Sequence, residues 1–174
     1  MTSIATTLMV EMPKPKKTRV LDFPIDPAHV KAVDAAILIC IEPRYWNKVG
    51  NNPCSTLQAF VDMKRWKFVP LSIAGGVKTL VSDDPADALQ REAQFARIAQ
   101  EIELHRPRIL SLTVHRDCGA YGYSKAFGND PDREEARLDA DLWRAKNVVE
   151  DKFGSQVRVE LYAFDENGVV AVEF

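Results

Sequence analysis

Short apolar runs alternate with longer stretches of helical spacing from residue 35 onward, and this alternation limits what the chain can fold into. The runs are 35–41 (Ala-Ala-Ile-Leu-Ile-Cys-Ile), 68–73 (Phe-Val-Pro-Leu-Ser-Ile), 109–114 (Ile-Leu-Ser-Leu-Thr-Val) and 157–164 (Val-Arg-Val-Glu-Leu-Tyr-Ala-Phe). Each is too short for a stable helix, rich in β-branched residues, and bounded by Pro43, by Gly75-Gly76 or by charged residues. Such runs read as strands, most of them buried on both faces. The intervening segments 55–66, 84–105 and 133–153 carry apolar residues at helical spacing: Leu57, Phe60 and Val61; Leu89, Phe95, Ile98 and Ile102; Leu138, Leu142, Ala145 and Val149. Ser55 and Asp84-Pro85 are helix-start signals, and Gly154 is a stop. Connections of this length cross over rather than form hairpins, so the strands they join run parallel, with helices on the faces. The expected fold is α/β: a three-layer α/β/α arrangement around a mostly parallel central sheet of four to five strands. Pro70 places its strand at an edge. Asn167-Gly168 predicts a hairpin turn at 165–168 before a last strand at 169–174.

The rest of the 174-residue chain adds little regular pattern. Residues 1–30 read as an N-terminal extended arm, because Pro13, Pro15, Pro24 and Pro27 stand among lysines. Residues 31–174 read as a single α/β domain. A net charge of −2 gives no electrostatic footprint for nucleic acid. There is no long uninterrupted apolar stretch to span a membrane, and residues 1–20 lack the basic-then-apolar order of a secretion signal. The expected location is therefore cytoplasmic. Three cysteines, odd in number and far apart, argue against a disulfide framework.

In open parallel sheets, ligands bind beyond the carboxyl ends of the strands. That rule selects 40–44, 74–76 and 115–119, which hold two of the three cysteines and one of the three histidines. If the chain stays extended through Pro43, a period of two puts Cys40, Glu42 and Arg44 on one side. A turn at Gly119 lets His115 and Cys118 converge. Cys40, His115 and Cys118 then form a two-cysteine, one-histidine set, the arrangement of a catalytic zinc with a fourth position open. Glu42 is placed to bind or release the metal, or to accept a hydrogen bond from a water on it. Arg44 is placed to hold Glu42. Other readings stay open: Cys40 as a core residue, His115 and Cys118 as a chance pair or a nucleophilic thiol beside a base, Glu42 with Arg44 as a solvated ion pair.

The remaining candidates read as structural. Residues 75–79 (Gly-Gly-Val-Lys-Thr) lack the glycine that a phosphate loop places before its lysine, and predict a turn with a close backbone approach. Cys54 reads as a helix-start or buried thiol, and His29 and His105 as surface residues. Asp117 caps its turn or pairs with Arg116. Trp46, Trp66 and Trp143 read as core or subunit-contact residues. Tyr121 and Tyr123 read as pocket rim or core. The charged run 130–137 reads as a solvated helix start.

At Cys40-Ile-Glu42-Pro-Arg44 and His115-Arg-Asp-Cys118-Gly119 the sequence resembles the β-class carbonic anhydrases, which carry Cys-x-Asp-x-Arg after the first core strand and His-x-x-Cys-Gly after the third. Ala74-Gly75 and the tail 162–168 (Tyr-Ala-Phe-Asp-Glu-Asn-Gly) resemble that family too, in the same order. The resemblance implies a β-carbonic-anhydrase-like fold, Zn²⁺ on Cys40, His115 and Cys118, and Glu42 and Arg44 as the acidic and basic catalytic pair. It implies reversible hydration of carbon dioxide to bicarbonate through zinc-bound hydroxide, in a homodimer or higher homo-oligomer. The chain departs from the family where Glu42 replaces aspartate, where Ser72-Ile73 stands for Arg-Asn, and where Val114 precedes the histidine in place of glycine. Residues 1–30 read as extended, not as the long helical arm of many members. These departures leave two alternatives: a catalytically silent member with a structural zinc, or a hydrolase of carbon disulfide or carbonyl sulfide on the same metal site.

Overall fold

The computed structural model describes residues 32–48 and 50–174. The arm expected at 1–30 lies outside the described residues, and His29 with it. Ten helices and strands follow one another: β1 (Ala35–Ile39), α1 (Pro43–Trp46), α2 (Thr56–Lys64), β2 (Phe68–Ser72), α3 (Lys78–Val81), α4 (Ala88–His105), β3 (Ile109–His115), α5 (Pro131–Phe153), β4 (Arg158–Asp165) and β5 (Gly168–Val172).

The strands form one sheet in the order β2-β1-β3-β4-β5. The first four are parallel and β5 runs antiparallel to β4. β1 and β3 are buried at every position. Alternate residues of β1 serve opposite faces, as the period of two requires. Ala36 and Leu38 join a core with residues of α3, α4 and α5, such as Leu80, Phe95, Ile98 and Leu142. Ala35, Ile37 and Ile39 join a second core with Tyr45 of α1 and Leu57, Phe60 and Val61 of α2. The expected three-layer α/β/α arrangement is therefore present. Each fully buried aliphatic side chain contributes roughly 1.5–3 kcal/mol.

Local signals account for the element ends. Ser55 Oγ accepts the Gln58 N–H at 3.1 Å to start α2. Asp84 accepts the Ala86 N–H at 2.9 Å, and a single 3₁₀ turn beginning at Pro85 leads into α4. Asp130 accepts from Asp132 and Arg133, so α5 begins at Pro131, two residues before the expected start. Gly154, at φ 54°, ends it. Asp165 Oδ1 accepts the N–H groups of Asn167 and Gly168 at 2.7 and 2.9 Å, which fixes the expected hairpin. β5 stops at Val172, short of the expected Phe174. Pro70 sits on the edge strand β2, opposite Ile37.

Two expectations fail. Leu89 is 82% exposed, not part of the α4 stripe. Six residues before Phe95 is roughly 120° around a helix of 3.6 residues per turn, close to the opposite face. The chain also does not stay extended to Arg44. It turns at Glu42, which caps α1.

At the opposite end of the sheet, Asp34 ties three strands together. Its carboxylate accepts the Lys67 N–H at 2.9 Å and the Arg108 guanidinium at 2.9 Å. Its backbone carbonyl accepts from Arg108 and Ile109. Among the described residues no helix is long and apolar enough to cross a membrane.

Candidate metal centre

The chain leaves β1 toward β2 on one side and later builds β3 and β4 on the other. The carboxyl ends of β1 and β3 therefore flank the point where strand order reverses, the place where open α/β sheets bind ligands. Cys40 is the first residue past β1, and His115 is the last of β3. Cys118 follows after a tight turn in which Asp117 adopts φ 52°.

These three side chains meet. The Cys40 and Cys118 Sγ atoms are 3.9 Å apart. One donor atom from each of Cys40, His115 and Cys118 lies within 4.8 Å of the other two, and all three residues are buried. Cys54 and Glu42 are not part of this group.

The hydrogen bonds around the donors are compatible with a bound cation. His115 Nδ1 lies 2.8 Å from the Arg116 carbonyl, which can only accept, so the ring proton sits on Nδ1. Nε2 is left with a lone pair, and it is buried with no hydrogen-bond partner. A buried polar atom in that state costs about 1–3 kcal/mol unless something binds it. Carbonyl-anchored imidazoles of this kind are the usual support of a metal-bound histidine. The Gly75 N–H points at Cys40 Sγ from 3.3 Å. The hydrogen bond from Cys118 lowers the Cys40 pKa against the opposing effect of burial, with His115 and Gly75 adding to it. The same bond and burial raise Cys118. A divalent cation between two sulfurs this close would favour ionisation of both. Two thiolates and a neutral imidazole fit a borderline-soft ion such as zinc.

Neighbouring groups hold this geometry. Tyr45 packs its ring on His115 with centroids 5.0 Å apart and meets Phe164 edge-on. Burial raises the Tyr45 hydroxyl to about 12, so it stays protonated. Trp46 Nε1 donates to the Cys40 carbonyl at 2.9 Å. The loop after β2 presses into the same place. A Cβ on Gly76, at φ 55°, would stand 2.7 Å from the Thr113 carbonyl, and one on Gly75 would stand 2.9 Å from Ala120 Cβ. This is the close backbone approach expected of residues 75–79.

Glu42 and Arg44 do pair, but through a helical turn rather than along a strand. The Glu42 carboxylate accepts Arg44 Nε at 3.0 Å and the Arg44 N–H at 3.4 Å. Burial alone would raise the Glu42 pKa; the bonds and charge of Arg44 outweigh it and leave the carboxyl below its ordinary value. Arg44 also donates to the Asp117 carbonyl at 3.2 Å, so it bridges the two loops that carry the cysteines.

Other candidates fall into place. Asp117 Oδ1 caps its turn by accepting the Ser124 N–H at 3.0 Å, while Arg116 pairs with Glu135 instead. His105 pairs with Glu101 on α4. Tyr121 packs on the core; Tyr123 is half exposed and lies against Gly119. Trp66 packs edge-on to Phe60, and Trp143 is largely exposed against Phe174. The run 130–137 is solvated except at Glu134, which is buried. Tyr45, Trp46 and Glu134 were not legible as site neighbours. The only signal for the first two was their position directly after Arg44.

No protein-family model matches this chain, and no curated protein does. Among solved structures, a carbonic anhydrase from Glaciozyma antarctica superposes with a TM-score of 0.47 at 16% identity, covering 87% of this chain and 86% of that one.

Proposed function

We propose that the chain is a zinc-dependent, carbonic-anhydrase-like enzyme that converts carbon dioxide and water reversibly to bicarbonate and a proton. The observation that carries this is the buried convergence of Cys40, His115 and Cys118, with the His115 Nε2 lone pair unpartnered among them. The paired motifs and their order along the chain, which resemble the β class, support the choice of reaction. Cys40, His115 and Cys118 would hold a zinc ion, which when bound would supply the Lewis acidity that lowers the pKa of a water from ~15.7 to near ~7.

The chain's own residues do the rest. The Arg116 carbonyl holds the His115 ring in the tautomer that leaves Nε2 free. The Gly75 amide stabilises negative charge on Cys40. Arg44 keeps Glu42 ionised, so its carboxylate can accept a hydrogen bond from the water substrate and orient it. Arg44 also fixes the spacing of the two loops through the Asp117 carbonyl. The same reading carries a homodimer or larger homo-oligomer, on the strength of the family resemblance.

Stopped-flow hydration of carbon dioxide with a pH indicator tests the proposal. The zinc-loaded chain is expected to exceed the buffer rate, and Cys118→Ser to abolish the excess. A fully zinc-loaded chain with no rate above buffer overturns it.

One observation favours a second reading. Glu42 is longer than the family's aspartate, and its carboxylate is taken up by Arg44 outside the donor group. Here the metal is structural, or the substrate is carbon disulfide or carbonyl sulfide. Glu42→Asp decides: a hydration rate raised by tenfold or more, roughly 1.4 kcal/mol of barrier, shows that the extra methylene restrains this site.

A further inference from the structure

The turn that carries Cys118 is built from conformations that side chains resist. Asp117 has φ 52° and Tyr123 has φ 62°, both in the left-handed region, with Gly122 between them at 87°. Cys118 lies between two regular elements: β3 ends at His115 and the next turn of 3₁₀ helix begins at Gly119. From within the turn its carbonyl accepts the Tyr121 and Tyr123 N–H groups, both at 3.0 Å. A group outside the turn braces it further.

Glu134 does so from the first turns of α5. It is 3% exposed. Its Oε1 accepts the Asp117 N–H at 2.7 Å and its Oε2 accepts the Ser124 hydroxyl at 2.8 Å. The Ser124 N–H in turn donates to Asp117 Oδ1 at 3.0 Å, which closes a ring of bonds around the turn. One carboxylate thus grips both ends of the segment that holds Cys118, and each of its oxygens has a donor. Its neighbours Asp132, Arg133 and Glu135 are exposed, so Glu134 faces inward alone among the charged residues of this first turn.

We infer that Glu134 is a positioning residue for the metal centre: it sets Cys118 Sγ at the distance from Cys40 and His115 that a metal ion requires. This rests on the metal reading above. The chemistry required of position 134 is two polar atoms at fixed reach, one of them an acceptor for the Asp117 N–H. A glutamine meets it. Its carbonyl can take the Asp117 N–H while its amide donates to Ser124 Oγ, whose lone pairs are available once the hydroxyl rotates. A leucine of similar size fills the space and leaves the Asp117 N–H unpaired.

The test is zinc affinity, measured on the full chain by competition with a chromophoric chelator, at a temperature where circular dichroism shows every variant folded. Glu134→Gln is expected to stay within about threefold of the parent. Glu134→Leu is expected to bind zinc about 10–100-fold more weakly, the range for loss of a group supporting a metal ligand. The cobalt-loaded Glu134→Leu protein should also show a weakened thiolate-to-metal charge-transfer band, which a loss of stability alone does not produce. Ser124→Ala, which removes one of the two bonds, should fall between. If Glu134→Leu does not fold, Ser124→Ala decides alone. Unchanged affinity in the folded Glu134→Leu or Ser124→Ala protein overturns the assignment of Glu134. A parent chain that binds neither zinc nor cobalt overturns the metal reading instead.

Discussion

The metal reading rests first on a single imidazole nitrogen. His115 Nε2 is buried with no hydrogen-bond partner, and its ring is pinned by the Arg116 carbonyl and the Tyr45 ring. Purified without chelator, the chain should carry near-stoichiometric zinc by elemental analysis, and Cys40→Ser should lose most of it while remaining folded. Retained zinc in that variant would remove Cys40 from the site. A second residue-scale prediction concerns acid. The Asp34 pKa is lowered by the Lys67 N–H first, opposed by partial burial and helped by Arg108. A group depressed in the folded state contributes stability that is present above its unfolded value, ~3.9, and is lost as pH falls through the folded one. Urea melts of the parent should therefore lose stability as the pH falls below about 4, in part through Asp34. Asp34→Asn should be less stable at neutral pH and show a shallower acid limb; an identical limb contradicts the assignment.

Elements place these residues through their ends more than their middles. β1 and β3 were legible in the sequence because both are buried on both faces, so their apolar runs are unbroken. From there the strand-end rule brought Cys40, His115 and Cys118 to one place. Helix α1 was not legible: four residues cannot show a period, and its start depends on Glu42 folding back onto Arg44. Glu134 was hidden for a different reason. By charge it matches Asp132 and Glu135, and only the tertiary turn at Asp117 tells them apart. Leu89 failed through spacing alone. The loop between β2 and α3 yields a prediction of its own. Gly76→Ala combines a left-handed φ with a Cβ 2.7 Å from the Thr113 carbonyl, a backbone atom of a central strand that cannot move aside. It should destabilise the chain by about 2–4 kcal/mol in chemical denaturation, well beyond an ordinary surface change. A loss under ~0.5 kcal/mol would mean the loop does not press against β3.

On the scale of the whole molecule, the sheet order β2-β1-β3-β4-β5 turns two distant stretches of sequence into one site. Seventy-eight positions separate Cys40 from Cys118, yet their sulfurs stand 3.9 Å apart. They meet because β1 and β3 are neighbours in register, with Leu38 opposite Leu112, and both point their carboxyl ends the same way. Two apolar cores, one on each face, hold that register. The Arg44 bridge and the Glu134 grip then fix the loops beyond it. X-ray absorption at the zinc edge of the metal-loaded chain tests this most directly. Bound as proposed, the ion would have two sulfurs and one imidazole nitrogen in its first shell, with a sulfur lost in either Cys40→Ser or Cys118→Ser. A shell of nitrogen and oxygen alone, or one unchanged by both substitutions, would contradict it.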